Sequence, residues 1–254
     1  MRLHLVSDVH GAVEPLRRAG ADADALICLG DLLCFLDYYD YDAGVFGSLF
    51  GPDAVARLVE LRTARRFSEA RDWSRTLWEG LPDGRAALDA AIERQYADMF
   101  AAMPTPTYAT YGNVDIPALW EEHAHPGVQI VDGEVVEIGG LRFGFVGGGL
   151  QTPMRTPHEL SDADYAAKVA ALGPVDVLCA HIPPAVPVLT YDVIARRLER
   201  GSTALYEAIL EHQPALMFFG HVHQPLASRT RIGRTECVNV GHFARTKTAY
   251  VLDL

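Results

Sequence analysis

Seven residues with side chains that can bind metal ions follow short apolar stretches of the chain. They are Asp8, His10, Asp31, Asn113, His181, His221 and His223. Asp8 and His10 are separated by one residue, as are His221 and His223, so the two side chains of each pair can point to the same side. Mixed carboxylate, amide and imidazole donors suit manganese, iron or zinc better than calcium, and the lack of cysteine among them argues against a structural zinc site. The pattern therefore predicts a metal site, in which a carboxylate such as Asp31 could bridge two cations.

The elements that must position these residues are short apolar runs. Such runs cover residues 3–6, 25–29, 108–111, 175–180 and 215–219, and each ends in polar or glycine residues. Apolar runs of this length, bounded in this way, predict buried strands, and the helical patterns between several of them predict an α/β core. In open α/β sheets, ligands bind beyond the carboxyl ends of the strands, which is where all seven residues fall.

Residues 34–105 are a helix-rich segment that separates the strand predicted at 25–29 from the strand predicted at 108–111. An apolar stripe with spacings of four, four, three and four residues predicts one helix through Leu88, Ile92, Tyr96, Met99 and Met103. We expect this stripe to pack against the main domain, and Pro52 to begin another helix over residues 53–67. A connection of this length predicts a functional insertion that borders the active-site cleft, with residues 37–41 near the site. A dimerisation surface is the alternative.

Strands are also predicted along the last half of the chain. They cover residues 127–131, 134–138, 141–146, 226–231, 235–240 and 248–252, with hairpin turns at Gly139-Gly140 and Gly233. We expect one domain over residues 1–254, with the helical insertion at 34–105.

Composition limits the classes of function. The chain has 254 residues and a formal net charge of -11, from 33 acidic and 22 basic residues, which argues against a nucleic-acid partner and therefore against a nuclease. No apolar stretch reaches the roughly 20 residues that cross a bilayer, and no signal peptide is apparent, so we expect no membrane partner and a cytoplasmic location. Four scattered cysteines argue against a disulfide framework, and Cys28 and Cys179 are expected in the core.

The order of the polar motifs resembles that of the calcineurin-like metallophosphoesterase superfamily. The motifs are Asp8-x-His10, Gly30-Asp31, Gly112-Asn113, His181 and Gly220-His221-x-His223. The resemblance implies a four-layer α/β/β/α sandwich and two divalent metal ions, with manganese expected and iron, zinc or nickel as alternatives. One ion would be held by Asp8, His10, Asp31 and His223. The second would be held by Asp31, Asn113, His181 and His221, with Asp31 as the bridge.

The implied activity is hydrolysis of a phosphate-ester substrate by a metal-bridging hydroxide. The family motif usually continues from Gly-Asn to a histidine and an acidic residue, whereas this chain has Val114 and Asp115. The subset of the family that lacks this histidine resembles phosphodiesterases. Valine cannot donate a proton, and His242 is the first candidate to replace the imidazole, followed by His123 and Arg155. The catalytic candidates are therefore Asp31, Asn113, Asp115 and His242.

Two other functions remain open. One is a phosphomonoesterase that acts on a nucleotide or a phosphoprotein. The other is a metal-stabilised scaffold without catalysis, which would be expected to lose ligand residues, whereas this sequence keeps all seven. The oligomeric state does not follow from the sequence.

Overall fold

Two mainly parallel β-sheets form the centre of the protein. The structure is a computed structural model, and it describes residues 1–254. The strands are β1 (Arg2–Val6), β2 (Ala25–Cys28), β3 (Thr107–Ala109), β4 (Val128–Ile130), β5 (Glu134–Ile138), β6 (Leu141–Val146), β7 (Gly149–Leu150), β8 (Glu159–Leu160), β9 (Val177–Ala180), β10 (Tyr191–Asp192), β11 (Arg197–Leu198), β12 (Leu216–Phe219), β13 (Arg229–Ile232), β14 (Thr235–Asn239) and β15 (Tyr250–Asp253). The helices are α1 (Val13–Ala19), α2 (Gly44–Phe50), α3 (Pro52–Thr63), α4 (Phe67–Glu79), α5 (Gly84–Ala102), α6 (Pro117–His123), α7 (Asp162–Leu172), α8 (Pro187–Thr190), α9 (Thr203–His212) and α10 (Phe243–Thr246).

The five strands that precede the seven polar residues pair in parallel. One sheet has the order β15-β1-β2-β3-β4, in which only β15 is antiparallel to its neighbour. The other has the order β13-β14-β12-β9-β6-β5, with antiparallel pairs only at its two edges. Parallel neighbours end at the same edge of a sheet, so the polar residues after them come together.

Three apolar cores hold four layers together. Leu3, Leu5 and Ile27 lie in the core between the two sheets. Leu26 and Cys28 alternate with these and face a second core, which the first sheet shares with α1, α5 and α6. The second sheet forms the third core with α7 and α9. Strands buried on both faces explain the continuous apolar runs, and the predicted α/β/β/α sandwich is confirmed.

The helix-rich segment divides into two parts. The predicted stripe lies on α5 except for Met103, which directly follows the helix. Its residues from Ile92 to Met103 are buried in the core of the first sheet, which confirms that the stripe packs against the main domain and makes α5 part of the outer layer of the sandwich. Helices α2, α3 and α4 form a smaller core of their own around Phe46, Val55 and Leu58. The prediction of one helix over 53–67 is wrong at its end, because Arg65 has a φ of 58° and separates α3 from α4.

Most other expectations of secondary structure are confirmed. The hairpin turns at Gly139-Gly140 and Gly233 have the positive φ angles that favour glycine, and they join the antiparallel pairs β5–β6 and β13–β14. The strand predicted over 226–231 begins only at Arg229, and the one predicted over 108–111 ends at Ala109. All four cysteines are buried and free. No helix combines the length and the apolarity that crossing a bilayer requires.

Candidate metal centre

All seven predicted metal ligands meet where the parallel strands of both sheets end. Asp8 and His10 follow β1, Asp31 follows β2, and residues 113, 181, 221 and 223 follow β3, β9 and β12. Four of the seven have φ angles between 38° and 66°, a region that residues other than glycine rarely adopt; they are Asp8, His10, Asp31 and His221. Such backbone conformations cost free energy, and they cluster at functional sites.

A first group of donors consists of Asp8, His10, Asp31 and His223. His223 Nε2 lies 3.3 Å from Asp8 Oδ1 and 3.4 Å from His10 Nε2. His10 Nε2 is 3.8 Å from Asp31 Oδ2. Asp8 Oδ2 accepts a hydrogen bond of 2.9 Å from the backbone N–H of His221, whereas the buried Oδ1 accepts none. A buried carboxylate oxygen without a hydrogen-bond donor is costly unless a cation compensates for it.

A second group consists of Asp31, Asn113, His181 and His221. Asn113 Oδ1 lies 3.0 Å from His181 Nε2 and 2.9 Å from His221 Nδ1. His181 Nε2 is 3.5 Å from Asp31 Oδ2, the same oxygen that faces His10 in the first group. Asp31 therefore lies between the two groups, as a bridging carboxylate would.

The surrounding backbone orients several of these donors. His10 Nδ1 donates to the carbonyl of Leu33 at 2.9 Å, and His181 Nδ1 donates to the carbonyl of Leu29 at 2.8 Å. In the neutral ring, each bond leaves the Nε2 lone pair directed into the site, which is the arrangement that metal-binding histidines commonly have. Asn113 Nδ2 donates to Thr156 Oγ1 at 3.0 Å, which turns Oδ1 towards the site. Donor chemistry and orientation both fit two divalent cations of the manganese, iron or zinc type.

The protonation of the site is set by burial and by its own charges. Burial alone would raise the pKa of Asp31, but the nearby His181 lowers it to about 2. Burial would lower the pKa of His181, but Asp31 and Asp8 raise it to about 9. Burial, assisted by His181, lowers the pKa of His221 to about 4. The carboxylates thus hold positive charge at His181, and a bound cation would compete with that proton.

Asp115 has a different environment from the predicted ligands. It is fully buried, and Oδ2 accepts the backbone N–H groups of Asp31 and Gly112 at 2.8 and 2.7 Å. Oδ1 accepts the N–H groups of Leu32 and Leu33 at 2.9 and 3.3 Å. Asp115 therefore joins the loop after β2 to the loop after β3 and is a positioning residue. Burial, followed by the neighbouring Asp31, raises the pKa of Asp115 to about 6.

Tyr96 supports the same carboxylate and was not identified as a site residue from the sequence. Its hydroxyl donates to Asp115 Oδ1 at 3.4 Å and accepts the backbone N–H of Ile116 at 2.9 Å. The only sequence signal for Tyr96 was its place in the apolar stripe of α5, which indicates burial and not a polar role.

Val114 stands where the family motif has a histidine, and His242, His123 and Arg155 are the candidates to replace that imidazole. The four residues lie in different places. The Val114 side chain packs against the core of the first sheet, while its backbone N–H donates to Asp31 Oδ1 at 3.0 Å. His242 is stacked on His223 with 3.7 Å between ring centroids, and its buried Nδ1 has no hydrogen-bond partner. Burial, followed by His223, lowers the pKa of His242 to about 3. His123 ends α6 and Arg155 is exposed, and neither makes a side-chain hydrogen bond to a predicted ligand.

The glycines of the motifs allow the loops to approach one another closely. A Cβ at Gly112 would collide with the side chain of Asp31, and one at Gly220 would collide with the side chains of Ser7 and Asp8. Any residue other than glycine at either position would therefore displace a predicted ligand.

The chain resembles a known family and several solved structures. The family model described as calcineurin-like phosphoesterase matches residues 1–225, which include all seven predicted ligands. The crystal structure of TT1561 of Thermus thermophilus is 14% identical and covers 99% of this chain and 98% of that chain, with a TM-score of 0.55. Purple acid phosphatase PPD1 from yellow lupin (Lupinus luteus) seeds is 13% identical and covers 100% of this chain and 46% of that chain, with a TM-score of 0.41.

A further solved structure has a TM-score of 0.58 at 15% identity and covers 95% of this chain and 91% of that chain. At such identities, the likeness of the TT1561 structure and of this one shows the fold alone. No curated protein matches the chain.

Proposed function

Because the chain belongs to the calcineurin-like phosphoesterase family, and is therefore a metal-dependent phosphoester hydrolase, we propose that it is a phosphodiesterase with a dinuclear metal centre. The observation that supports two ions is the position of Asp31, whose Oδ2 faces His10 at 3.8 Å in one donor group and His181 at 3.5 Å in the other. We propose Asp8, His10, Asp31 and His223 for one ion, and Asp31, Asn113, His181 and His221 for the second. Manganese is the ion we expect.

When bound, two divalent cations supply an activated water nucleophile and neutralise the charge that develops on the phosphoryl group. The protein's own residues supply rigidity. Asp115 holds the loops of Asp31 and Asn113 together, and Thr156 fixes the orientation of the Asn113 amide. Fixed donors need no reorganisation during the reaction, which is a main source of rate enhancement in enzymes.

Val114 supports a preference for diesters with good leaving groups. A positioned general acid contributes about 10²–10⁴ in rate, most of it when the leaving alkoxide is a strong base. The Val114 side chain cannot provide that proton, and it packs against the core. A diester also brings less negative charge than a monoester dianion into a protein with a formal net charge of -11. We propose His242 as the proton donor in the case that the rates do not depend on the leaving group.

A leaving-group series tests this proposal. We expect kcat/KM to be higher for aryl phosphodiesters than for alkyl monoesters, and to fall steeply as the pKa of the leaving group rises. Val114→His should raise monoesterase activity at unchanged metal content. Val114→Ala is the matched control, because it vacates the same space without adding an imidazole.

If chemistry limits the rate and kcat/KM does not change with the pKa of the leaving group, the enzyme has a general acid. That result would contradict the proposal that it lacks one. His242→Phe, which keeps the aromatic stack on His223 but has no proton to give, would then steepen the series if His242 is the donor. A monoesterase that leaves every diester intact would support the alternative function.

A further inference from the structure

A cleft that contains none of the predicted metal ligands has a composition that the proposed chemistry does not use. It encloses about 1030 Å³ between helices α3 and α4 and the segments around Met154 and Ala195. A volume of this order is typical of sites for small organic ligands. The side chains that give the cleft its character are Tyr38, Arg62, Phe67, Arg71, Trp78 and Met154.

Two arginines of the cleft carry charge that no carboxylate neutralises. Arg62 makes one side-chain hydrogen bond, 2.9 Å to the hydroxyl of Tyr38, and Arg71 makes none. The other two arginines of the cleft, Arg75 and Arg197, lie 2.9 and 2.8 Å from carboxylates of their own. In a chain with a formal net charge of -11, two unpaired guanidinium groups in one cleft form a local site for an anion. Guanidinium groups match phosphate especially well, because both can form two parallel hydrogen bonds.

Flat and apolar side chains lie next to these charges. Tyr38, Phe67 and Met154 have exposed fractions of 45%, 63% and 72%, and the Trp78 ring lines the same space. Large exposed apolar side chains that cluster around charged groups mark binding sites more often than scattered ones do. Aromatic rings beside phosphate-binding arginines offer a stacking surface for a base.

Two residues that line the cleft lie close in the chain to residues that contact the surroundings of the metal centre. Tyr38 precedes Tyr39, whose ring centroid lies 3.7 Å from Arg245 Cζ, and the backbone N–H of Arg245 donates to the carbonyl of His242 at 3.0 Å. Met154 lies two residues before Thr156, which binds the amide of Asn113. The segments that line the cleft at these two points therefore continue into the surroundings of the metal centre.

We propose that this cleft binds the part of the substrate away from the scissile bond, and that this part is a nucleotide, with a second phosphate at Arg62 and Arg71 and its base against the aromatic rings. The part of this inference that concerns the reaction rests on the proposed phosphodiesterase activity. The part that concerns nucleotide binding rests on the cleft alone. The nucleotide is the occupant that uses both features together, since a simple anion would leave the rings exposed and a neutral ring would leave the arginines unpaired.

A binding measurement separates the inference from the reaction. The probe is ADP, added to chelator-treated protein in a calorimeter so that no turnover occurs. We expect saturable 1:1 binding, with adenosine alone and pyrophosphate alone binding more weakly. Arg71→Gln and Arg62→Gln should each weaken ADP binding about tenfold, which is the typical loss for one hydrogen bond to a charged group. Arg94→Gln, an exposed arginine of α5 outside the cleft, is the matched control and should bind ADP like the unchanged protein.

A kinetic measurement then relates the cleft to the reaction. Thymidine 3′-phosphate 5′-(4-nitrophenyl phosphate) is compared with bis(4-nitrophenyl) phosphate, because the two share a leaving group and differ in the nucleotide. We expect the unchanged enzyme to prefer the nucleotide diester. Arg71→Gln should reduce that preference about tenfold, mainly by raising KM, and Arg94→Gln should retain it.

The two proposals fail in different ways. Hydrolysis of diesters without saturable ADP binding, or an equal loss of binding in Arg71→Gln and Arg94→Gln, would overturn the nucleotide cleft and leave the phosphodiesterase standing. ADP binding that depends on Arg71, in a protein that cleaves no diester, would support the cleft and overturn the proposed reaction. A stable dimer that covers the cleft and excludes ADP would also overturn the inference.

Discussion

At the scale of single residues, the arrangement of the metal centre depends on residues that are not themselves predicted ligands. Asp115 collects four backbone N–H groups from two loops, and Gly112 leaves room for the Asp31 carboxylate. The convergence of the seven predicted ligands could be foreseen from the sequence, because each one follows a recognisable strand within four residues. The role of Asp115 could not, because its partners lie more than 80 residues away in the case of Asp31, Leu32 and Leu33.

We predict that Asp115→Asn reduces both stability and metal affinity. An amide has one acceptor oxygen, so two of the four backbone N–H groups would face an NH₂ group instead. Leaving these buried donors unsatisfied should lower the free energy of unfolding by about 2–4 kcal/mol. Urea unfolding and metal titration of the variant measure the two effects.

The matched control for this variant is Asp98→Asn, because Asp98 is an exposed acidic residue of α5. It should leave the free energy of unfolding and the metal affinity unchanged. Equal behaviour of the two variants would mean that the Asp115 carboxylate does not organise the loops.

At the scale of elements, the strands were predicted well because an apolar run buried on both faces is a local signal. The helical segment was predicted less well. Its stripe, and the packing of that stripe against the main domain, could be predicted, but the sequence did not indicate that α2, α3 and α4 form a separate core. The cleft that we propose binds a nucleotide was not foreseen, because its lining comes from four separate segments of the chain. The predicted position of residues 37–41 beside the site, and the insertion itself as a functional element, remain proposals.

The stacking of Tyr39 on Arg245 gives a test of that position. We predict that Tyr39→Ala raises KM for a phosphodiester about two- to fivefold at unchanged metal content, because an exposed cation–π pair contributes about 0.5–1 kcal/mol. Tyr39→Phe keeps the ring face and should keep KM near that of the unchanged enzyme. If both variants behave like the unchanged enzyme in steady-state kinetics, the segment does not border the occupied site.

At the scale of the whole molecule, the site depends on both sheets. Asp8, Asp31 and Asn113 come from one sheet, and His181, His221 and His223 come from the other, so any cation shared between them crosslinks the two halves of the sandwich. Divalent ions at this position would also offset part of the formal charge of -11. Binding energy of this kind adds directly to the stability of the folded state.

We therefore predict that chelation lowers the melting temperature. A ligand present at 100 times its Kd stabilises the folded state by about 2.7 kcal/mol. For a domain of this size, that corresponds to a shift of roughly 5–10 °C between chelated and manganese-loaded protein. Differential scanning calorimetry measures the shift, which Asp31→Asn should largely abolish and Asp98→Asn should retain. If manganese does not change the melting temperature, no manganese ion binds between the two sheets.

We propose that these seven residues form two adjacent metal sites that share Asp31. Anomalous scattering at the manganese edge, from crystals of protein soaked in manganese, tests it most directly. We predict two peaks, one among Asp8, His10, Asp31 and His223 and one among Asp31, Asn113, His181 and His221, and the loss of both in crystals of Asp31→Asn. A single peak, or none at these residues in well-ordered crystals, would contradict the dinuclear centre.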